Sequence, residues 1–202
     1  MKPPYYKAAA YGSYEGGLRD LLHLLKYEHV RPAARVLGRM LSEVITGLAP
    51  DFSIPPVVIP VPLHERKFRE RGFNQSELIA HAALKMKPAG LELAVETRVL
   101  KRTRATQSQT GLSSHQRREN MRGAFVVAEP GQVAGREILL IDDVFTTGTT
   151  VSECARVLRR AGATRVGVAT VARTLKTEAA RAEFSSNEEG EDVTVAAKAA
   201  HV

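Results

Sequence analysis

The segment ILLIDDVFTTGTT, residues 138–150, constrains the fold of this chain more than any other part of it. It begins with four consecutive aliphatic residues, 138–141, and such a run predicts a strand that is buried on both faces of a sheet. Two carboxylates, Asp142 and Asp143, follow directly, and a threonine-rich turn comes next. Because ligands of parallel α/β sheets bind at the carboxyl ends of strands, the segment predicts a ligand site at this point.

The rest of the chain alternates predicted strands with predicted helices. Apolar and β-branched runs predict strands at 55–63, 91–99, 124–128 and 165–171, and helical spacing of apolar residues predicts helices at 18–27, 35–48, 75–86 and 151–161. This order is typical of βαβ units. We therefore expect an α/β fold with a mainly parallel twisted sheet, helices on both of its faces and an amino-terminal helical hood.

Composition divides the chain into three expected segments. Residues 1–50 are expected to form the helical hood, and residues 51–175 the α/β core that carries the site. Residues 176–202 contain six acidic and three basic residues and few large apolar ones. That composition predicts a disordered acidic tail without a part in the chemistry.

Charge and cysteine content narrow the function classes. The net charge of +7 and the isoelectric point near 9.8 favour anionic partners, namely phosphorylated metabolites, nucleic acid or acidic surfaces. The single cysteine, Cys154, excludes a disulfide framework or a cysteine-based zinc site within these residues. No apolar run approaches the roughly 18 residues that a membrane span needs. We expect a cytoplasmic protein without membrane insertion.

The polar end of the 138–150 segment has the composition of a sugar-phosphate site. Ionised carboxylates only accept hydrogen bonds, so Asp142 and Asp143 require donors or a metal ion, which two adjacent sugar hydroxyls and a hydrated magnesium ion would supply. The turn offers hydroxyls, a glycine and the N–H groups of a helix start, all of which suit a phosphate. Its residues are Thr146, Thr147, Gly148, Thr149 and Thr150. The pattern predicts binding of a ribose 5-phosphate.

The 138–150 segment fits an ordinary turn or a different nucleotide-binding loop less well. The acids alone would suit an ordinary turn and the threonines alone a helix cap, but their contiguous order after an apolar run favours a ligand site. A Walker loop needs a lysine after its last glycine, and here Gly148 is followed by Thr149. A dinucleotide-binding fingerprint needs three spaced glycines, and this turn has one.

The motif resembles that of type I phosphoribosyltransferases, in which an apolar strand, two acids and a Thr/Gly/Ser-rich loop bind phosphoribosyl pyrophosphate. Four segments are similar to the ComF family, named for late-competence proteins of bacterial DNA uptake: YEGGLRDLLHLLKY, PVPLHERKFRERGFNQSELIA, TQSQTGLSSHQRRENMRGAF and ILLIDDVFTTGTTVSECARVLRRAGA. They cover most of residues 11–173. The resemblance implies a phosphoribosyltransferase fold and activity, with Mg²⁺ as cofactor.

The resemblance also implies roles for individual residues. Asp142 and Asp143 would bind the ribose hydroxyls and magnesium, the ion being reached through water or the donor, and the threonine turn would bind the 5-phosphate. The loop where the superfamily holds pyrophosphate contains His64, Arg66 and Arg71, and the long stretch 101–123, where members have a mobile flap, contains Gln109, Arg117 and Arg118.

One departure from the family pattern concerns the amino terminus. Many ComF proteins carry a cysteine-rich zinc module there, and no cysteine precedes Cys154 in this chain. The chain is expected to be a variant without that module or to begin after it, so partner or DNA contacts made by such a module are not expected of these residues.

Three functions are compatible with the sequence. The first is transfer of phosphoribosyl to an unidentified nitrogen acceptor with release of pyrophosphate. The second is a non-catalytic protein that binds phosphoribosyl pyrophosphate or assists competence through protein contacts. The third is direct DNA binding by the basic stretch 98–122, although the scarcity of aromatic residues there favours a phosphate-binding loop. The sequence leaves the acceptor and the oligomeric state open.

Overall fold

The computed structural model describes residues 2–104, 119–175 and 193–195. In these residues the strands are β1 (Lys7–Ser13), β2 (Val57–Pro60), β3 (Leu100–Arg102), β4 (Phe125–Val127), β5 (Glu137–Phe145), β6 (Arg165–Arg173) and β7 (Val193–Val195). The α-helices are α1 (Gly16–Tyr27), α2 (Ala33–Leu48), α3 (Glu65–Arg71), α4 (Gln75–Leu84) and α5 (Thr149–Arg160).

Five of the strands form one parallel sheet in the order β2-β5-β6-β1-β7. Strands β3 and β4 form a separate antiparallel ribbon. The parallel orientation agrees with the alternation of strands and helices along the chain, because each connection between parallel strands must cross a face of the sheet. The predicted α/β fold with a mainly parallel sheet is confirmed.

Strand β5 is buried on both faces, as its apolar run predicts. Ile138 and Leu140 belong to one core cluster, which also contains the apolar side of α5, whereas Leu139 and Ile141 belong to the other, beneath α2 and α4. This division follows from the alternation of side chains along a strand. The strand continues to Phe145, so both acids of the motif lie within the strand and not beyond its end.

Two other segments differ from the predictions. Residues 91–99 are not a strand, and their one pairing with the sheet is an isolated bridge between Val95 and Val58. The expected basic loop after β2 contains helix α3, which is capped by the side chain of His64 at its start and by Gly72 in the left-handed region, with φ of 73°, at its end. Local capping therefore outweighs the charge repulsion within this basic segment.

The amino-terminal segment contains the predicted helices and one unpredicted strand. Leu22 and Leu25 of α1 and Leu37 and Leu41 of α2 are fully buried. Strand β1, with the sequence KAAAYGS, pairs with β6 and belongs to the main sheet, so the prediction of a purely helical hood before residue 51 is incomplete. Its alanines have low β propensity, and burial between neighbouring strands outweighs that preference.

The predicted acidic tail, residues 176–202, lies outside the described residues apart from β7. These three residues pair in parallel with β1 at the edge of the sheet. Within the described ranges, none of the helices has the length and apolarity needed to cross a membrane.

The close packing of α2 on α4 depends on Gly38. A Cβ atom at this position would lie 2.5 Å from the Cβ of Ala82 and 2.9 Å from backbone atoms of α4. We expect Gly38→Ala to lower the free energy of unfolding by about 1–3 kcal/mol through overpacking. The loss corresponds to a drop in Tm of about 2–4 °C per kcal/mol, which thermal denaturation measures.

Gly47, near the end of the same helix, provides the matched control. A Cβ atom there has no neighbour within 4 Å. Gly47→Ala should raise the stability by about 0.5–1 kcal/mol because alanine is the better helix former. Equal effects of the two substitutions would contradict a tight contact between α2 and α4.

Candidate functional site

A cavity of about 190 Å³ lies at the carboxyl ends of β2 and β5. Its walls are formed by the chain that follows β2, by residues of α1, α3 and β3, and by residues at the start of α4 and α5. The lining residues are Lys26, Tyr27, Val61, Pro62, Leu63, Lys67, Arg71, Gln75, Arg102, Asp142 and Thr150. The cavity therefore lies at the carboxyl end of the strand that carries the two acids, where the sequence places the ligand site.

Four of the lining residues are cationic. Lys26 comes from α1, Lys67 and Arg71 from α3, and Arg102 from β3. Burial lowers the pKa of Lys67, and the positive charges of Arg102, Arg71 and Lys26 lower it further. Burial also lowers the pKa of Arg102, a guanidinium that stays charged at any ordinary pH. Such a concentration of like charge costs stability and suits a ligand with several negative charges.

Asp142 is the acid that faces the cavity. Its Oδ1 accepts hydrogen bonds from the Ser76 hydroxyl at 3.1 Å and from the backbone N–H of Asp143 at 3.0 Å. Burial and the neighbouring negative charge of Asp143 raise the pKa of Asp142 to about 8. The ionised form of Asp142, at the carboxyl end of the sheet, can accept hydrogen bonds from ligand hydroxyls.

Asp143 has a different environment from Asp142. It is 5% exposed, does not belong to the cavity lining and forms an ion pair with Nζ of Lys26. Burial alone would raise the pKa of Asp143, but the ammonium of Lys26 and a hydrogen bond from Gln75 hold it below its ordinary value. Burial would conversely lower the pKa of Lys26, and the charge of Asp143 raises it instead.

The threonine turn joins β5 to α5 beside the cavity. Gly148 is the N-cap of α5 in the left-handed region, with φ of 72°, and a Cβ atom there would lie 2.7 Å from the ring of Phe145. The hydroxyls of Thr147 and Thr149 are 2.8 Å apart, Thr146 is exposed, and Thr150 lines the cavity. The first N–H groups of a helix lack partners within it and carry a partial positive charge, so the turn is suited to an anion.

The three residues predicted to bind pyrophosphate are separated by the structure. Arg71 lines the cavity, where its Nη1 donates to Oε1 of Gln75 at 2.5 Å. His64 instead accepts a hydrogen bond from the backbone of Arg66 at the start of α3, and Arg66 pairs with Glu70 on the exposed side of that helix. Helical spacing explains the separation, because positions 66 and 71 lie on different faces of α3. Gln109, Arg117 and Arg118 lie outside the described residues.

Several residues of the site were not predicted from the sequence. Lys26, Lys67, Arg102, Gln75 and Ser76 all contact the cavity or its acids. Lys26 lies in the last turn of a leucine-rich helix and Lys67 stands in a run of basic residues, so neither has a local signal that distinguishes it from a solvated charge. Only the tertiary arrangement brings them to the same place as Asp142.

The ribbon that supplies Arg102 is attached to the helix that starts at the threonine turn. Oε1 of Glu153, in α5, accepts a hydrogen bond from the N–H of Gly123 at 2.7 Å, just before β4. Glu153 also pairs with Arg156 through two hydrogen bonds. Burial would raise the pKa of Glu153, and Arg156 together with the Gly123 N–H lowers it. The threonine turn and the ribbon that carries Arg102 are thus both connected to α5.

The donor set of the site is compatible with magnesium. Among the described residues no group of three or more His, Cys, Asp or Glu side chains is arranged to hold a metal ion. Magnesium commonly binds through one or two carboxylates and completes its coordination with water and substrate phosphates. Asp142 lines the cavity and supplies one carboxylate, whereas Asp143 is paired with Lys26, so a metal ion here would depend on the ligand and on water for further oxygen atoms.

Comparison with known proteins agrees with this geometry. Residues 76–197 match the family model of the phosphoribosyl transferase domain, which includes α4, β5, the threonine turn and β6. The chain therefore belongs to the phosphoribosyl transferase domain family.

Similar relatives include bacterial proteins connected by name with DNA. The chain is 37% identical over 179 residues to DNA utilization protein YhgH of Escherichia coli O157:H7, covering 86% of this chain and 74% of that protein. It is 30% identical over 176 residues to Competence protein F of Haemophilus influenzae, covering 86% and 75%. These matches confirm the resemblance to the ComF family.

Among solved structures, a glutamine phosphoribosylpyrophosphate amidotransferase from B. subtilis matches with a TM-score of 0.42 and 24% identity, over 70% of this chain and 26% of that one.

The raised pKa of Asp142 predicts a dependence of stability on pH. The folded-state pKa of about 8 exceeds the ordinary value of 3.8, so the folded chain binds this proton more tightly than the unfolded chain. The associated stability is complete below about pH 4 and is lost as pH rises toward 8. Asp142→Asn removes this loss. We expect its Tm to exceed that of the parent by several degrees at pH 8–9 and by less at pH 5, measured by thermal denaturation.

Asp20→Asn is the control for this experiment, because Asp20 is exposed on α1. Its Tm should follow that of the parent across the pH range. A constant offset between Asp142→Asn and the parent at every pH would show that Asp142 is not held in its neutral form by the fold.

Proposed function

We propose that the cavity binds phosphoribosyl pyrophosphate with magnesium, and that the protein transfers the phosphoribosyl group to a nitrogen acceptor with release of pyrophosphate. The observation that carries this proposal is the combination, in one cavity, of Asp142, the start of α5 at Thr150 and four cationic side chains. The donor has complementary parts, namely a ribose diol, a 5-phosphate and a pyrophosphate.

Each part of the donor has a suitable partner in the site. The ribose hydroxyls would donate to the carboxylate of Asp142, whose Oδ1 is already oriented by Ser76. The 5-phosphate would accept from the N–H groups and hydroxyls of the threonine turn. The pyrophosphate would be bound by Lys67, Arg71 and Arg102, which also line the cavity. Arginine suits this role because its fork of N–H groups matches phosphate oxygens.

The chemistry of transfer explains why cations surround the leaving group. Cleavage of the bond from C1 of the ribose to pyrophosphate leaves an oxocarbenium-like sugar and adds negative charge to the leaving oxygen. Fixed positive charges aimed at that oxygen stabilise the transition state more than the ground state. Magnesium bound to the donor and held by Asp142 would supply further charge stabilisation. Orientation of the acceptor nitrogen toward C1 supplies the remaining acceleration by making the attack effectively unimolecular.

The similarity to DNA utilization protein YhgH and Competence protein F supports a role in the handling of DNA by bacteria, with the competence machinery as partner. A protein that binds the donor as a signal without turning it over would use the same cavity. Release of pyrophosphate separates the two functions, since a sensor binds the donor and releases none.

The first test is a pyrophosphate-release assay. The protein is incubated with phosphoribosyl pyrophosphate, magnesium and a panel of purines, pyrimidines and amines. We expect release with one class of nitrogen acceptor and a decrease of at least about a hundredfold in kcat/KM for Asp142→Asn, because a transition-state contact is lost. Donor binding without release across the panel would favour the sensor, and absence of donor binding would contradict both functions.

Helix α3 offers a matched pair of arginines for testing the pyrophosphate side of the cavity. Arg71→Gln removes a cation that lines the cavity, whereas Arg66→Gln removes one that pairs with Glu70 on the surface. We expect Arg71→Gln to weaken binding of the magnesium-bound donor by about tenfold or more, and Arg66→Gln by less than about twofold, in titration calorimetry. Equal losses would mean that the donor contacts the outer face of α3.

A further inference from the structure

Lys26 occupies a position that the proposed donor contacts do not explain. It stands at the end of α1, lines the cavity and forms an ion pair with Asp143. The side chain of Lys26 is 15% exposed and that of Asp143 is 8% exposed. The charge of Asp142 also acts on Lys26, so this ammonium is near both acids of the motif.

The two adjacent acids present an electrostatic problem for a polyanionic ligand. A donor with a 5-phosphate and a pyrophosphate carries several negative charges. Two uncompensated carboxylates at the carboxyl end of β5 would repel it. The same two carboxylates would attract a free divalent cation, for which carboxylate oxygens are preferred ligands. A fixed positive charge beside one of the acids would weaken binding of the free cation and strengthen binding of the polyanionic ligand.

We propose that Lys26 is the internal counter-ion of the donor site, a specificity-determining residue through which the acid pair selects the magnesium-bound polyanionic donor over the free metal ion. The identity of the donor rests on the function proposed above. By pairing with Asp143, Lys26 reduces the charge of the pair by one and leaves Asp142 as the acid that meets the ligand. The amino-terminal helix α1 is then part of the donor site through this ion pair, in addition to its packing on the sheet.

A charge series tests this role by titration calorimetry, with every variant measured at the same pH and ionic strength. Each variant is titrated with magnesium chloride alone and with phosphoribosyl pyrophosphate in the presence of magnesium. In Lys26→Met the uncompensated acids should bind magnesium alone at least about tenfold more tightly and the donor at least about tenfold more weakly. Opposite changes in the two affinities are expected from altered charge and not from a damaged fold.

Two further variants control for structural damage. Lys26→Arg keeps the positive charge, so both affinities should stay within about threefold of the parent. Lys26→Met combined with Asp143→Asn removes one charge of each sign and leaves no unpaired buried carboxylate at position 143. This double variant should regain the Tm that Lys26→Met loses and return both affinities toward those of the parent.

The outcomes separate the proposal from its alternatives. A double variant with parental Tm that still binds the donor weakly would overturn the counter-ion role, because Lys26 would then contact the donor itself. Unchanged magnesium affinity in a folded Lys26→Met would also overturn it. If Lys26→Met fails to fold, the magnesium and donor affinities of the double variant provide the test. If the parent does not bind phosphoribosyl pyrophosphate, the proposed function fails, and the titrations with magnesium alone still test the effect of Lys26 on the acid pair.

Discussion

The rest of the structure depends on the burial of β5 on both faces of the sheet. Its aliphatic residues alternate between two core clusters, one beneath α5 and the other beneath α2 and α4, which fixes the strand in the middle of the layers. The same strand then continues as Asp142 and Asp143, alongside β6. Packing on both faces of β5 therefore fixes the position of the two acids at the carboxyl end of the sheet. A binding site needs side chains that are held in place in this way.

The cavity is assembled by elements that are distant in the sequence. Lys26 lies near the end of α1, Arg71 ends α3, Arg102 ends β3, and Thr150 lies at the start of α5. Parallel strands deliver their carboxyl ends to one edge, and the connections that follow them must therefore meet there. The fold thus brings cationic side chains from separate segments together around one carboxylate.

The sequence predicted the central features of the fold because they have local causes. Burial of β5, the helical periodicity of α2 and the turn that begins α5 all follow from residues close together in the chain. Strand β1 was missed because alanine carries no strand signal, and α3 because its capping by His64 and Gly72 is hidden in a basic run. The pairing of Lys26 with Asp143 joins residues that are far apart in the chain, so no local pattern contains it.

The environments of the two acids reduce the stability of this end of the sheet. The carboxyl end of the sheet, with one acid paired to Lys26 and one acid of raised pKa, is less stable than it would be with apolar residues, since burying either carboxylate is unfavourable. Binding of a ligand that donates hydrogen bonds to Asp142 offsets part of this cost, because those bonds favour its ionised form. Negatively charged groups on the same ligand would offset the repulsion among the cations that line the cavity. A ligand that carries both hydroxyl groups and negative charges would therefore recover on binding part of the stability that the buried acids and the crowded cations cost.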